Sequence, residues 1–357
     1  MKIGVVFTGG TIGSRLDQDG YIGTRQDMPY LLLEKYKERC NASKQKEEIT
    51  FVKRNPYTIL SENLSGKELE KLISCVLELL HQKELEGIVI THGTDSLQYA
   101  AAVLGYVFSQ ADIPIVLVSS NYVLEDSRAN GLTNFYYGVE FIKGKYGKGV
   151  YVSYCNHKSV PEIHVATRLN MPVYYSDELR SIEDSIFGYF PSEKKFCYAE
   201  ESSRTKTPGS SVLFSEKEIK QIHLSPCQNE IMVIHPFVGM QYPNLSQETK
   251  IILHGSFHSG TIAITEDLRR FAQKARAMGI PFYLIGLSAA VNHYETVQSY
   301  KELDIYPLYD RGLIAQYCKA WLIVSNGLSV RENMEAVMAW EQAGQMDMSE
   351  RTMNVDK

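Results

Sequence analysis

Short runs of consecutive apolar residues, each closed by glycine, serine or threonine, alternate along the chain with longer stretches whose apolar residues recur every three or four positions. KIGVVF (2–7), GIVIT (87–91), IPIVLVSS (113–120) and GVYVSYC (149–155) are of the first kind. Continuous Val/Ile runs predict strands covered on both faces, as in a parallel sheet. Between them, SGKELEKLISCVLELLHQ (65–82) opens with Ser65 and Glu68, a capping-box pair, and carries Leu69, Leu72, Ile73, Val76, Leu77 and Leu80 at helical spacing. SLQYAAAVLGYVFSQ (96–110) and ANGLTNFYYGVEFIKG (129–144) read as further helices, which gives the strand-helix-strand rhythm of a doubly wound α/β sheet.

The rhythm stops at EESSRTKTPGSS (200–211), where Ser, Thr, Lys, Pro and Gly give linker composition. It then resumes: EIMVIHPF (230–237), KIILHGSF (250–257), PFYLIGLS (281–288) and AWLIVSNG (320–327) predict strands, TEDLRRFAQKARAMG (265–279) a helix, and SVRENMEAVMAWEQAGQ (329–345) a C-terminal helix before a frayed tail. The expected division is a larger α/β domain over 1–199, a linker over 200–228 and a smaller α/β domain over 229–357. A length of 357 residues, 44% of them hydrophobic, suits two cores.

Charge narrows the partners. With 37 Lys+Arg against 42 Asp+Glu the net charge is −5, so no basic footprint argues for nucleic acid or an acidic membrane, and a small ligand is expected. MKIGVVFTGG is too short an apolar run for a signal peptide, and no stretch reaches the roughly 20 apolar residues of a membrane span, so a cytoplasmic chain is expected. The six cysteines lie apart without CxxC spacing, which suggests neither a zinc site nor a disulfide framework.

In parallel α/β sheets ligands bind beyond the carboxyl ends of the strands. Two polar clusters fall there: Thr8, Gly9, Gly10 and Thr11 after the first strand, and Thr91, His92, Gly93, Thr94, Asp95 and Ser96 after GIVI. Gly9 and Gly10 permit a tight turn whose N–H groups would face the crevice and bind an oxyanion, with Thr11 projecting into the pocket. GGTIG lacks the G-x-G-x-x-G spacing of a dinucleotide site. Either cluster alone reads as an ordinary turn. The pair is harder to read so.

TGGTIG, the tyrosine ten residues on in DGYIGT, and GIVITHGTDSLQYAA resemble the paired signatures of the bacterial-type L-asparaginases, most closely their cytosolic type I branch. The resemblance implies a two-domain α/β fold and hydrolysis of the side-chain amide of asparagine, sometimes glutamine, through a threonine acyl-enzyme. No metal or cofactor is implied, and a homodimer or homotetramer with sites shared between subunits is. It puts Thr11 at the nucleophile, Tyr21 at an activating phenol on a mobile lid spanning 14–27, and Thr94 and Asp95 at the second threonine and the aspartate that grips the substrate's amino group. Ser61 in ILSEN falls at the serine that binds the substrate's carboxylate, with Gly10 and Gly93 beside it, and His92 is structural in the motif.

The sequence departs from the pattern elsewhere. Where the family has a lysine completing the second threonine's triad, EIHVATRLNM offers Arg168, a permanent cation that could hold Asp95 ionised and orient Thr94 but not relay a proton. Lys158, ten residues earlier, is the substitute. SSNYVLEDSRANG (119–131) adds Ser120 as a further lining candidate and carries Asn121 and Asn130 where relatives have Gln and Asp. HGSFHSGT (254–261) stands where the family has a Gly-rich loop with an asparagine that reaches a neighbouring subunit's substrate, and His258 is new there. These departures keep two alternatives open: the same chemistry on a different or modified Asn or Gln amide, and a small-molecule binding protein that has lost turnover.

Overall fold

The computed structural model describes residues 1–19, 21–24, 28–42, 48–82, 84–193, 195–199, 211–226, 229–289, 294–338 and 341. The larger sheet runs, edge to edge, β4 (Thr50–Arg54), β1 (Lys2–Phe7), β5 (Gly87–Thr91), β6 (Pro114–Val118), β7 (Gly149–Tyr154), β8 (Glu162–Val165), β9 (Gly188–Ser192) and β10 (Lys195–Tyr198). From β4 to β7 every pair is parallel, and β8, β9 and β10 are added antiparallel.

Both faces of this sheet are covered, as its unbroken apolar runs require. Ile88 and Ile90 point toward α2 (Gly66–Leu80) and α3 (Leu97–Val107), while Val89 between them points toward α1 (Met28–Ala42) and α4 (Gly131–Lys143). Each such side chain is fully buried, worth about 1.5–3 kcal/mol relative to exposure. The fold class read from the sequence is the one observed. Ser65 is the N-cap of α2, but its hydroxyl donates to the Glu68 carboxylate instead of accepting from the backbone. A complete capping box forms instead at Ser215 and Glu218, over the single turn α5 (Glu216–Ile219).

The second sheet is wholly parallel, in the order β11 (Ile231–Ile234), β12 (Ile251–Gly255), β13 (Phe282–Ile285), β14 (Ile305–Leu308). It is flanked by α6 (Glu266–Ala277), capped by the Thr265 hydroxyl on the Leu268 N–H at 3.1 Å, by α7 (Gln298–Glu302), by α8 (Leu313–Ser325) and by α9 (Val330–Glu335). The expected strand at 320–327 is part of α8. That helix packs against α3 of the first sheet as well as its own, so Ala320, Leu322, Ile323 and Val324 are all buried, and a helix buried all round gives the same unbroken apolar run as a strand. The edge strand is β14 instead, and it tolerates Pro307 because an edge needs no further donor.

The expected C-terminal helix also ends early. Ala336 is extended and Ser211 N–H bonds to Val337 O at 3.0 Å, so the chain leaves α9 in a strand-like bridge. The linker residues 200–210 and the tail beyond 341 lie outside the described residues. Of the expected lid over 14–27, residues 20 and 25–27 lie outside the described residues, while β2 (Ser14–Leu16) and β3 (Ile22–Thr24) pair antiparallel as a hairpin. Among the described residues no helix is long and apolar enough to cross a membrane.

Candidate active site

β1 and β5 end side by side, with Phe7 opposite Thr91, and the Thr8 hydroxyl donates to Thr91 O at 2.7 Å. Beyond them Ile59 crosses Gly9: its N–H bonds to Thr8 O at 3.1 Å and its carbonyl accepts from Gly10 N at 2.9 Å. The Gly10 N–H is thereby used, which corrects the expectation that it faces the crevice to bind an oxyanion. The two glycines serve close approach instead. A Cβ on Gly10, whose φ is 71°, would sit 2.3 Å from the Gly93 Cα, and one on Gly93 would sit 2.3 Å from the Ser61 Oγ. The loops bearing Thr11 and Thr94 therefore touch backbone to backbone, each threonine one residue from the contact.

Thr11, half-buried, opens a single 3-10 turn (Thr11–Gly13) that is closed from below by Gly13 N–H and Ser14 Oγ on Gly10 O, at 2.9 and 2.7 Å. Ser61 is buried beneath Asp95: its Oγ donates to Asp95 Oδ2 at 3.1 Å and accepts from Asp95 N–H at 3.3 Å, while the Ser96 hydroxyl donates to Ser61 O at 2.6 Å. Gly10, Thr11, Ser61, Gly93, Thr94 and Asp95 thus form one cluster. His92 lies behind it, buried, with Nδ1 2.9 Å from Gly93 O and its N–H on Val118 O. Burial lowers its pKa, partly offset by that carbonyl, so the ring is neutral near pH 7 and braces the Gly93 turn.

The neighbouring wall follows β6. Buried Ser120 donates to Tyr122 O and accepts from Gly131 N–H at 3.1 Å. Asn121 and Asn130 exchange bonds, each backbone N–H reaching the other's Oδ1 at 3.0 Å, and Asn130 Nδ2 donates to Cys155 O. These two asparagines tie the β6–α4 loop to the end of β7, a bracing role that residue type alone did not reveal. Tyr21 lies just beyond the Leu16–Ile22 pair of the β2–β3 hairpin and is 74% exposed.

Arg168 is not at this site. Because β8 is antiparallel to β7, with Glu162 opposite Tyr154 and Val165 opposite Tyr151, the chain beyond Val165 lies at the amino-terminal edge of the parallel strands. There Arg168, buried, donates to Glu341 O at 3.0 Å and Asp310 O at 3.2 Å, and Thr167 packs against Gly105 near the far end of α3. The expectation that Arg168 sits beside Asp95 is corrected by strand direction. Lys158, exposed and at φ 59°, is in the β7–β8 connection and hence at the same edge as Thr11 and Thr94. His258 is exposed in the loop after β12, on the second sheet. Sequence reasoning placed Ser96 in the second polar cluster without giving it a role, and it missed Ser14 and Glu125. Serines in loops carry no periodic signal, and Glu125 matters only through a partner 110 residues away, Arg15.

Fold and site together define a two-sheet α/β protein with a threonine, serine and aspartate cluster at the carboxyl ends of parallel strands. The chain belongs to the asparaginase family: the family description "Asparaginase, N-terminal" matches residues 2–190, more than half its length. The thermostable L-asparaginase of Thermococcus kodakarensis has the same fold (TM-score 0.73, 20% identity, 97% of this chain and all of that one). So does L-asparaginase I of Vibrio cholerae (TM-score 0.71, 17% identity, 96% and 98%). Sequence relatives include the Glutaminase-asparaginase of Pseudomonas fluorescens, 39% identical over 97 residues, 27% of this chain and 26% of that protein. A Glutamyl-tRNA(Gln) amidotransferase subunit of Methanosarcina acetivorans is 34% identical over 119 residues, 33% of this chain and 26% of that protein. These matches span about a quarter of the length of such relatives.

Proposed function

We propose that the chain is an amidohydrolase that converts L-asparagine to L-aspartate and ammonia through an acyl-enzyme on Thr11. The Gly10–Gly93 contact carries the reading, because it joins a half-buried threonine hydroxyl to a second threonine and an aspartate at one crevice. In the reaction the Thr11 hydroxyl attacks the amide carbon and its proton passes to the departing nitrogen. Ammonia leaves, an ester remains, and water then cleaves that ester to release the acid and restore the hydroxyl. An alkoxide is not available to threonine near neutral pH, so a base must take the proton; Tyr21 reaching in from the hairpin is our assignment for the first step. Thr94 and Asp95 orient the substrate's amino end, and the Ser61–Asp95 pair fixes Asp95. Lys158, from the same edge, is the candidate partner of Thr94. We infer a cytoplasmic homodimer or homotetramer, supported by apolar side chains exposed at Val173, Tyr174, Tyr175, Phe237 and Val238.

The activity named for the Pseudomonas relative favours a second reading in which a glutamine amide is the substrate. The test is ammonia release across free asparagine, free glutamine and their capped forms, with wild type, Thr11→Ala and Thr11→Ser. We expect Thr11→Ala to lose essentially all turnover while remaining folded and Thr11→Ser to retain part of it. Near wild-type turnover in Thr11→Ala would move the nucleophile to Thr94.

A further inference from the structure

The hairpin that carries Tyr21 is fixed at two levels. At its base Ser14, opposite Thr24, bonds to Gly10 O one residue from Thr11. At the next register position Arg15, opposite Gly23, directs Nε to Glu125 Oε1 at 2.6 Å. Higher still, the turn is closed within itself, the Asp17 carboxylate accepting from the Asp19 and Tyr21 N–H groups at 3.0 and 2.8 Å. Glu125 belongs to the loop between β6 and α4, held to the sheet by the reciprocal Asn121–Asn130 bonds and by Asn130 on Cys155 O. Within that loop Asp126 N–H bonds to Val123 O and Ala129 N–H to Asp126 O. Arg15 is thus paired with a carboxylate that is itself anchored.

We propose that Arg15 and Glu125 are positioning residues for Tyr21. They clamp the lower half of the hairpin to the β6–α4 loop, so closure is confined to the turn and swings Tyr21 toward Thr11 instead of lifting the hairpin as a body. The proposal rests on the reading of Tyr21 as the activating phenol. The two side chains are 48% and 38% exposed, which sets the size of the effect at that of a surface ion pair. A pair of that strength cannot hold a fold together, yet it suffices to bias one hairpin between two positions.

The experiment compares Arg15→Gln, Glu125→Gln and the double reversal Arg15→Glu/Glu125→Arg, by steady-state kinetics on asparagine and by hydrogen exchange over 14–24 without substrate. Each single change is expected to lower kcat about three- to fivefold with KM within about twofold, as expected for losing an exposed pair. It should also speed exchange at the hairpin amides, and the reversal should restore both. Unchanged exchange in the single variants overturns the clamp whatever the kinetics. Lost kcat that the reversal fails to restore overturns it too, since the charges then act separately. Tyr21→Phe separates the two readings: full kcat in that variant removes the role of Tyr21, while exchange continues to judge the clamp on its own.

Discussion

Replacing one hydrogen by a methyl group at Gly10 would drive the two threonine loops apart, since the added carbon falls 2.3 Å from the Gly93 Cα, whereas at Gly93 it would displace Ser61, whose Oγ it meets at 2.3 Å. The sequence pattern of two glycine-threonine turns after two strands was legible because backbone approach leaves a residue-type signature. Family resemblance marked Ser61 as a candidate contact of the substrate's carboxylate, but its bonds to Asp95 were not legible, as nothing in ILSEN distinguishes a serine that meets a carboxylate 34 residues away. Outside the motif that marks His92 as structural, histidines gave no signal between surface and core. His164 is fully buried, with Nδ1 2.9 Å from the Ser181 hydroxyl, and burial pulls its pKa down to about 4. The unfolded ring titrates near 6.5. Between these values the unfolded chain takes up a proton that the folded one excludes, so stability is complete above about pH 6.5 and falls as the pH drops, by about 3 kcal/mol near pH 4. Glu162, 3.6 Å from the ring, is raised by burial and titrates in the opposite sense. Denaturant unfolding at pH 7.5 and 4.5 should therefore show a steeper loss in wild type than in His164→Asn; equal losses would exclude His164 as the titrating group.

At the scale of elements, the parallel strands of the larger sheet were read well from their unbroken apolar runs, and its antiparallel extension was not read. β8, β9 and β10 are short and antiparallel, β8 buried and the other two partly exposed, and their direction could not be inferred from composition. That one unknown moved Arg168 from the carboxyl to the amino edge of the sheet and left Lys158 at the expected edge. The β2–β3 hairpin is a case of the same kind, because three-residue strands around a Gly- and Asp-rich turn look like loop. The two cations now separate cleanly. Arg168→Ala should lower stability by about 3 kcal/mol, since it removes charged bonds to the carbonyls of Asp310 and Glu341, and leave kcat of the folded protein within about twofold. Lys158→Met should leave stability alone and lower kcat, on the order of a hundredfold if it serves proton transfer at Thr94. Thermal melts and room-temperature turnover on the same preparations check both; the reverse pattern would return Arg168 to the site.

On the scale of the whole molecule, the two sheets are joined by buried charge as well as by apolar contact between α3 and α8. The Glu341 carboxylate, 1% exposed, accepts from the Tyr106 hydroxyl of α3 at 3.0 Å, from Gln316 of α8 at 2.9 Å and from the Met338 N–H, and it pairs with Lys319 of α8 at 2.9 Å. Arg311 stands 3.8 Å away. Burial by itself would raise this carboxyl, but the Lys319 and Arg311 charges and the donors around it hold it below the usual carboxylate range, so it stays ionised. Burial in turn brings the Lys319 ammonium down to about 8, which leaves it charged at neutral pH only because Glu341 is there. Glu341→Gln keeps the shape and removes the counter-charge, leaving two buried cations opposite an amide. We expect it to cost about 3–5 kcal/mol, the penalty of breaking a buried pair from one side. Lys319→Met with Glu341→Gln removes both formal charges of the pair and should cost clearly less than the sum of the two single changes, because the residues share one interaction. Urea unfolding followed separately at probes in each sheet measures this. If the double variant loses as much as the singles added together, Glu341 and Lys319 act independently and the charge does not couple the sheets.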